Sequence, residues 1–368
     1  MLLLEIKRNN FLHLIQTIIG IVEKRHTQPI LSNLLIEFKS NKLYVLASDQ
    51  EIQIQVHYAL DKTFTDFAIT VAAKKLFDIL RAMPEQSDIV LESQDHQLQL
   101  RAKKTRFQLQ TLPALDFPVI EPPQESPIIV HIKQKDLRKL ITQVQYGMAQ
   151  QDIRYYLNGM FFVLADTKIS AVSTDGHRLC WARLDTGDMQ PPQELIIPRK
   201  TIGELVKLLA DNDAEVEISI YASQIKFSFN EIQLISKLIN GKFPDYQRVI
   251  PANHANIMLV NRLLLLQAIQ RVAILSNEKF RGARFVLAQN ELKIICNNNE
   301  QEEAQEELEV DYHGAPLDIG FNVTYILDAL NQIDSETVQC HFGDANSSML
   351  MTIPLNEDYK YVIMPMRI

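Results

Sequence analysis

A chain that repeats itself has its architecture set by the repeat, and this one returns to the same pattern at an interval near 126 residues. Phe117-Pro118 followed by Val119-Ile120 comes back as Phe243-Pro244 followed by Val249-Ile250, and 244 − 118 = 126. The same shift carries Leu31-Ser32-Asn33-Leu34 onto Leu157-Asn158-Gly159-Met160, and Ser48-Asp49 onto Thr174-Asp175. In a third copy, Phe280-Arg281-Gly282-Ala283 lies 280 − 157 = 123 residues beyond Leu157, and Tyr361-Val362-Ile363 echoes the closing strand. The collinear order predicts three related domains, at 1–124, 125–252 and 253–368. Pro122-Pro123, Pro127 and Pro251-Ala252-Asn253 punctuate the boundaries.

Each copy has the same grammar. Apolar periodicity predicts an early helix at Asn9–Lys24, Gln134–Met148 and Asn261–Leu275, and a second at Ala72–Met83, Arg199–Ala210 and Asn322–Ile333. Alternation in Glu51–Val56 and Glu215–Ile220 predicts half-buried strands. The expected class is therefore α+β, with two helices packed on antiparallel sheets in every repeat. The helices of the first two repeats carry basic outer faces. Lys74 and Arg81 lie opposite Leu76, Ile79, Leu80 and Met83; Lys200 and Lys207 lie opposite Ile202, Leu205, Val206 and Leu209. Lys135, Arg138 and Lys139 likewise oppose Leu137, Leu140, Ile141 and Val144, whereas the third repeat offers only Arg262 and Arg271. Basic helix faces in a chain of net charge −8 point to a common surface that meets a polyanion.

Charge is also segregated along two edges. Arg101, Lys103, Lys104 and Arg106 crowd a strand-like run ending in Phe107-Gln108-Leu109. Glu300, Glu302, Glu303, Glu306, Glu307, Glu309 and Asp311 crowd the third repeat. A basic edge in the first repeat and an acidic edge in the third suggest head-to-tail association, which closes into a ring when the rotation permits.

Several function classes are excluded. No apolar run approaches the ~20 residues that span a bilayer, and the apolar start Met1–Leu4 is too short for a signal peptide. Three widely spaced cysteines, Cys180, Cys296 and Cys340, argue against a disulfide framework and predict a cytoplasmic setting. The nine histidines have no ligand spacing, and 11 glycines leave no phosphate-cradling loop, so neither metal nor cofactor is expected. Ser276-Asn277-Glu278-Lys279 fits a Ser-x-x-Lys pattern but lacks its companion motifs. Thr174-Asp175-Gly176-His177-Arg178-Leu179 gathers an acid, an imidazole and a guanidinium, yet no nucleophile follows at a useful spacing.

The whole chain resembles the bacterial sliding clamps, the beta subunits of the replicative DNA polymerase. The resemblance rests on Arg154-Tyr155-Tyr156-Leu157-Asn158-Gly159-Met160, Thr174–Leu179, Phe243-Pro244-Asp245-Tyr246, the run Ala273–Gly282, Glu300–Ala304, Gly320-Phe321-Asn322-Val323 and Met364-Pro365-Met366-Arg367-Ile368. It implies three clamp domains per chain and a head-to-tail homodimer forming a six-domain ring around duplex DNA. It also implies three sets of residues. A pocket for partner peptides would use Leu157, Thr174, Gly176, His177, Arg178, Leu179, Pro244, Arg248, Val249, Asn322, Tyr325, Asn346, Val362, Met364, Pro365, Met366 and Arg367. Asn346 stands where the family often has an apolar residue. Sequence-independent DNA contact would use Arg25, Lys74, Gln151, Tyr155, Tyr156, Arg199 and Lys200. The dimer seam would set Phe107 and Leu109 against Ile274 and Leu275, and Arg101, Lys103, Lys104 and Arg106 against Glu300, Glu302, Glu303 and Glu306. The implied partners are the polymerase catalytic subunit, the clamp-loader complex, and other polymerases, ligase and mismatch-repair proteins. These present short segments with a glutamine and a Leu-Phe-type pair.

Overall fold

The computed structural model describes residues 2–23, 28–60, 62–94, 97–252 and 254–367. The chain condenses into two compact units, Met1–Lys135 with Gly203–Leu238, and Asp136–Ile202 with Ile239–Ile368.

The first unit holds an eight-stranded antiparallel sheet in the order Phe67–Ala72, Asn33–Lys39, Lys42–Ser48, Ile52–Ala59, Ile232–Lys237, Gln224–Phe229, Glu215–Ile220, Ile128–Lys133. The join is Ile52–Ala59 with Ile232–Lys237, registered Val56 to Ile232 and Ile52 to Ser236. Strands the repeat assigns to different copies thus share one sheet. A second sheet orders Leu2–Lys7, Asp88–Gln94, Gln97–Ala102 and Thr105–Gln110. Helix α1 (Arg8–Ile18) packs against α2 (Ala73–Ala82), burying Phe11, Ile15, Leu76 and Leu80.

The second unit holds a seven-stranded antiparallel sheet in the order Gly159–Thr174, Arg178–Pro198, Asn356–Ile363, Met349–Ile353, Thr337–Phe342, Asn256–Asn261, Asp311–Tyr312. Its four-stranded sheet orders Glu303–Glu309, Glu291–Asn297, Gly282–Ala288 and Leu317–Asn322. The chain crosses between the units inside α3 (Gln134–Thr142) and again inside α4 (Arg199–Leu208). Helices α5 (Arg262–Val272) and α6 (Val323–Gln332) pack together in the second unit.

All six expected helices form, with shorter bounds. The early helices end at Ile18, Thr142 and Val272, and 3₁₀ turns follow at Ile19–Ile21, Gln145–Gly147 and Ala273–Leu275. Each turn closes on an i+3 amide: Val22 to Ile19, Met148 to Gln145, Ser276 to Ala273. The apolar spacing runs on through these turns, so periodicity alone does not see the change. Lys24, the expected end of the first helix, lies outside the described residues, as do Asn253 and Ile368. Asn261 and Asn322 are caps rather than helical residues; their side chains accept the amides of Leu263 and Leu264, and of Thr324. The basic run at Arg101–Arg106 is a hairpin rather than one strand, with Lys103 (φ 52°) and Lys104 in the turn between Gln97–Ala102 and Thr105–Gln110.

The repeat is visible in the packing. Phe117 packs on Leu35 and Leu46. Phe243 sits in one cluster with Phe161 and Val172, and 243 − 117, 161 − 35 and 172 − 46 all equal 126. The Asp49 carboxylate accepts the amides of Glu51 (2.9 Å) and Ile52 (2.8 Å), and Asp175 accepts those of His177 (2.9 Å) and Arg178 (3.1 Å). Asn298, 298 − 175 = 123 residues on, accepts those of Glu300 (2.9 Å) and Glu302 (3.0 Å). Only the first two of these turns are paired in the sequence reading; the third uses an amide in place of a carboxylate.

Cys180, Cys296 and Cys340 are free and buried. Burial pushes the Cys180 and Cys340 thiols up to about 12 and Cys296 up to about 11. A folded value raised above the unfolded one, about 8.5, means that each thiol's contribution to stability is intact below pH ~8.5 and is lost as pH rises through the folded value. The folded chain should therefore give no reaction with a thiol-specific chromogenic disulfide at pH 8 and full reaction in denaturant, and its denaturation midpoint should fall from about pH 9 upward. A fast-reacting thiol in the native chain would contradict this placement.

Candidate functional site

The Thr174–Leu179 segment is the turn between the two longest strands of the second unit, Gly159–Thr174 and Arg178–Pro198. One Asp175 oxygen holds the His177 and Arg178 amides, and the other accepts Arg178 Nε at 3.0 Å. Thr174 Oγ1 accepts the Gly176 amide at 3.1 Å and donates to the Arg178 carbonyl at 2.6 Å. Gly176 takes φ +91°, a conformation that a side chain would strain. The acid is thus consumed by turn geometry, and His177 is exposed. Ser276, the other catalytic candidate, donates its hydroxyl to the Ala273 carbonyl at 2.8 Å and is buried.

Arg178 is the hub of the turn. Its Nη1 donates to Asp328 at 2.6 Å and its Nη2 to the Tyr146 carbonyl at 2.6 Å. Its guanidinium lies 4.4 Å from the Tyr325 ring centroid and 5.7 Å from that of Tyr146. The side chain is only 11% exposed. Burial opposes its charge, but Tyr361, Asp328 and Asp175 more than offset that, holding the guanidinium above its ordinary range. Next to it, Tyr146 and Tyr359 share a hydroxyl hydrogen bond of 2.8 Å, and Tyr361 donates to the Tyr325 carbonyl at 2.8 Å.

The turn is joined to the chain's end by strand pairing. Arg178 registers with Ile363 and Leu179 with Val362. Beyond the paired strands, the Met364 amide donates to the His177 carbonyl at 2.9 Å, and the Met366 amide to Gly320 at 2.8 Å. An apolar floor results: Leu157, Leu179 and Val362 are buried with Phe161, Val172 and Phe243. The Phe243 ring stacks on Phe161 at 4.6 Å with 4° between planes, which pins the loop that carries Pro244, Arg248 and Val249. Pro244, Val249 and Met364 (48%) are exposed, and Thr174 is half-buried. Arg248 is exposed and pairs with Asp245 at 2.7 Å. Asn322, beside Met366 through the Gly320 strand, is occupied as the α6 cap. Pro365 and Met366 are half-buried and Arg367 exposed. Asn346 is exposed on a turn closed by Asp344, which accepts its amide at 2.9 Å.

A cavity of about 400 Å³ adjoins this floor, lined by Tyr146, Met148, Asp152, Arg154, His177, Arg178, Arg199 and Tyr325 among others. It unites residues that the sequence reading divides between peptide pocket and DNA contact. Arg199 donates to the Met148 carbonyl at 2.6 Å, and burial, with the nearby Arg178 charge, lowers its pKa. Sequence reasoning missed Tyr146, Arg154 and Asp328 as site residues. Arg154 pairs with Asp152, whose carboxyl its hydrogen bonds hold at about 2. Asp328 lies three residues after Tyr325 on α6, a spacing that places both on one helix face.

The other DNA candidates divide. Lys74 and Gln151 are exposed. Tyr155 is 56% exposed, while its neighbour Tyr156 packs on the apolar cluster. Lys200, expected to point outward, is half-buried and already has a partner. Arg25 lies outside the described residues.

Both charged segments are sheet edges. Thr105–Gln110 closes the four-stranded sheet of the first unit, and Glu303–Glu309 closes that of the second. Lys103, Lys104 and Arg106 are exposed, as are Glu300, Glu302 and Glu303. Arg101 pairs with Glu92 at 2.5 Å. Glu306 is held by Arg271, which keeps its carboxyl below the usual range. Ile274 is 78% exposed and Leu275 half-buried, whereas Leu109 is only 7% exposed and Phe107 half-buried. The first edge therefore offers backbone and Phe107 more than it offers Leu109.

Three clamp-type domains define the class of this fold. The N-terminal, central and C-terminal domains of the DNA polymerase III beta subunit match residues 2–121, 131–245 and 247–367. The beta sliding clamp of Pseudomonas putida is 42% identical over 364 residues, 99% of each chain. That of Escherichia coli K12 is 39% identical over 363 residues, again 99% of each. A sliding clamp from Pseudomonas aeruginosa, solved with griselimycin bound, superposes over 100% of both chains with a TM-score of 0.96 at 41% identity. The chain belongs to the DNA polymerase III beta subunit family, the beta sliding clamps, and is a non-catalytic processivity subunit.

Replacing Arg178 by Met would strand Asp175 and Asp328 without a counter-ion. The expected cost is about 3 kcal/mol, the lower end for breaking a buried pair because Asp328 is partly solvated. Chemical denaturation followed by near-ultraviolet dichroism measures it; an unshifted midpoint would show that the network stabilises nothing.

Proposed function

We propose that two copies of this chain associate head to tail into a ring of six domains that encircles duplex DNA and tethers the replicative polymerase to it in the cytoplasm. Within each copy the domains run 1–124, 125–252 and 253–368. The observation that carries the reading is the juxtaposition of His177 with Met364. It sets a turn of the second repeat against the tail of the third, over an apolar floor, where a short extended peptide can lie. Methionines at the rim adapt to varied ligands, which suits a surface shared by the clamp loader, several polymerases, ligase and mismatch-repair proteins. The griselimycin complex of the Pseudomonas clamp supports a ligand-accepting groove in this family.

The edges supply the ring. Thr105–Gln110 of one copy would add to Glu303–Glu309 of the other by strand pairing, with Phe107 against Ile274 and Leu275. Lys103, Lys104 and Arg106 would face Glu300, Glu302 and Glu303 and fix the register. DNA contact would fall to Lys74, Gln151 and Tyr155, which are exposed, and to Arg25, Tyr156, Arg199 and Lys200. Contacts of this kind neutralise phosphate without reading bases, which a sliding ring requires.

The test is topological. Loaded by the clamp-loading ATPase onto nicked circular DNA, the protein should stay on circles and leave once they are linearised; absence of retention on circles would overturn the ring. Ile274→Asp with Leu275→Asp should give monomers by light scattering, and a persistent dimer would refute the seam. His177→Ala should weaken a Gln/Leu-Phe-type peptide about ten-fold while loading as a ring survives. Unchanged peptide affinity would remove His177 from the pocket.

A further inference from the structure

The floor of the peptide pocket does not end at Leu179 and Val362. Two residues further along, on the same face, Trp181 and Lys360 lie level with Val172, and Ser170, two residues beyond Val172 on its own strand, lies level with Arg183. The registers are continuous: Leu179 pairs with Val362, Trp181 with Lys360, Val172 with Trp181, and Ser170 with Arg183. These residues line a groove of about 510 Å³, whose opposite wall is Tyr246, Ile250 and Pro251 of the loop that Phe243 pins. Floor and groove are therefore continuous, and the Leu179–Val362 and Trp181–Lys360 rows are about 7 Å apart along the strands, two residues of extended chain.

The groove differs from the pocket in charge. Trp181 carries two cations, Arg183 Cζ and Lys360 Nζ, each 5.3 Å from its ring centroid. Arg183 is neutralised by Asp358 at 2.6 Å. Lys360 and Lys168 have no carboxylate partner among the described residues, and Asp166, the one acid in the lining, pairs with neither. The indole holds the Lys360 ammonium in place with its donors free, so a carboxylate meets a cation already positioned for it. We propose that this groove extends the peptide pocket and takes an acidic stretch flanking the apolar pair of the docking segment. This rests on the pocket reading above and adds a selectivity to it: partners with acidic flanks are held longer than partners with neutral ones.

Trp181 is the chain's single tryptophan, so its fluorescence reports on the groove directly. The experiment uses a labelled peptide with the Gln/Leu-Phe-type core and two versions extended by three glutamates, one at each end. At low salt one extended version should bind the full-length protein about five-fold more tightly than the core and alone change the Trp181 emission, the gain of two partly screened ion pairs. The gain should vanish at about 0.5 M salt and in Lys168→Glu with Lys360→Glu, which should bind the core peptide as wild type does. Lys360→Gln, a milder change, should lose about half of the gain on a logarithmic scale. A core peptide that binds but gains nothing from either extension overturns the groove alone, as does a gain that survives both charge reversals. A core peptide that fails to bind overturns the pocket and the groove with it.

Discussion

One guanidinium organises the second unit. Arg178 ties its own turn through Asp175, the 3₁₀ segment Gln145–Gly147 through the Tyr146 carbonyl, and α6 through Asp328 and the Tyr325 ring. With that cation in place, the strand ending at Ile363 can pair with Arg178–Pro198, and Met364 is delivered to His177. A charge this enclosed is tolerable because each of its three nitrogens has an acceptor, which ties the surrounding elements to one another. Arg178 therefore holds the surrounding elements together, while His177, Met364 and most of the loop after Phe243 are exposed.

The consequence is a site with a stiff base and an adaptable rim. The floor of Leu157, Leu179 and Val362 is packed as a core, and the stacked Phe161–Phe243 pair fixes one wall. Met364, Val249 and Pro244 are exposed. Asp175 accepts three hydrogen bonds from its own turn, the cysteine thiols are held protonated by burial, and among the described residues no cluster of acids, histidines and cysteines could hold a metal. A surface of this kind selects a ligand by fit and charge.

What the sequence made legible was whatever repeats or alternates. The 126-residue shift maps onto equivalent packing at Phe117 and Phe243, and the acidic run at Glu303–Glu309 alternates because it is a half-buried edge strand. What it hid was non-local or geometric. Tyr146 and Asp328 stand 32 and 150 residues from Arg178, so no motif window contains them together. The 3₁₀ ends of three helices keep a helical apolar spacing while their hydrogen bonds change. The basic run Arg101–Arg106 read as one strand because a lysine at φ 52° can make a tight turn without glycine. Tyr155 and Tyr156 are indistinguishable as letters, and only packing separates the exposed ring from the one that joins the core.

The central claim is that Arg178 acts through its carboxylate partner to hold the pocket and not by touching the peptide. A double-mutant cycle of Arg178→Lys and Asp328→Asn on the affinity of a Gln/Leu-Phe-type peptide tests it most directly. The account predicts that each substitution weakens binding by a similar factor, about ten-fold, and that the double variant is no weaker than either single one. Fully additive losses, or a loss confined to Arg178→Lys, would contradict it.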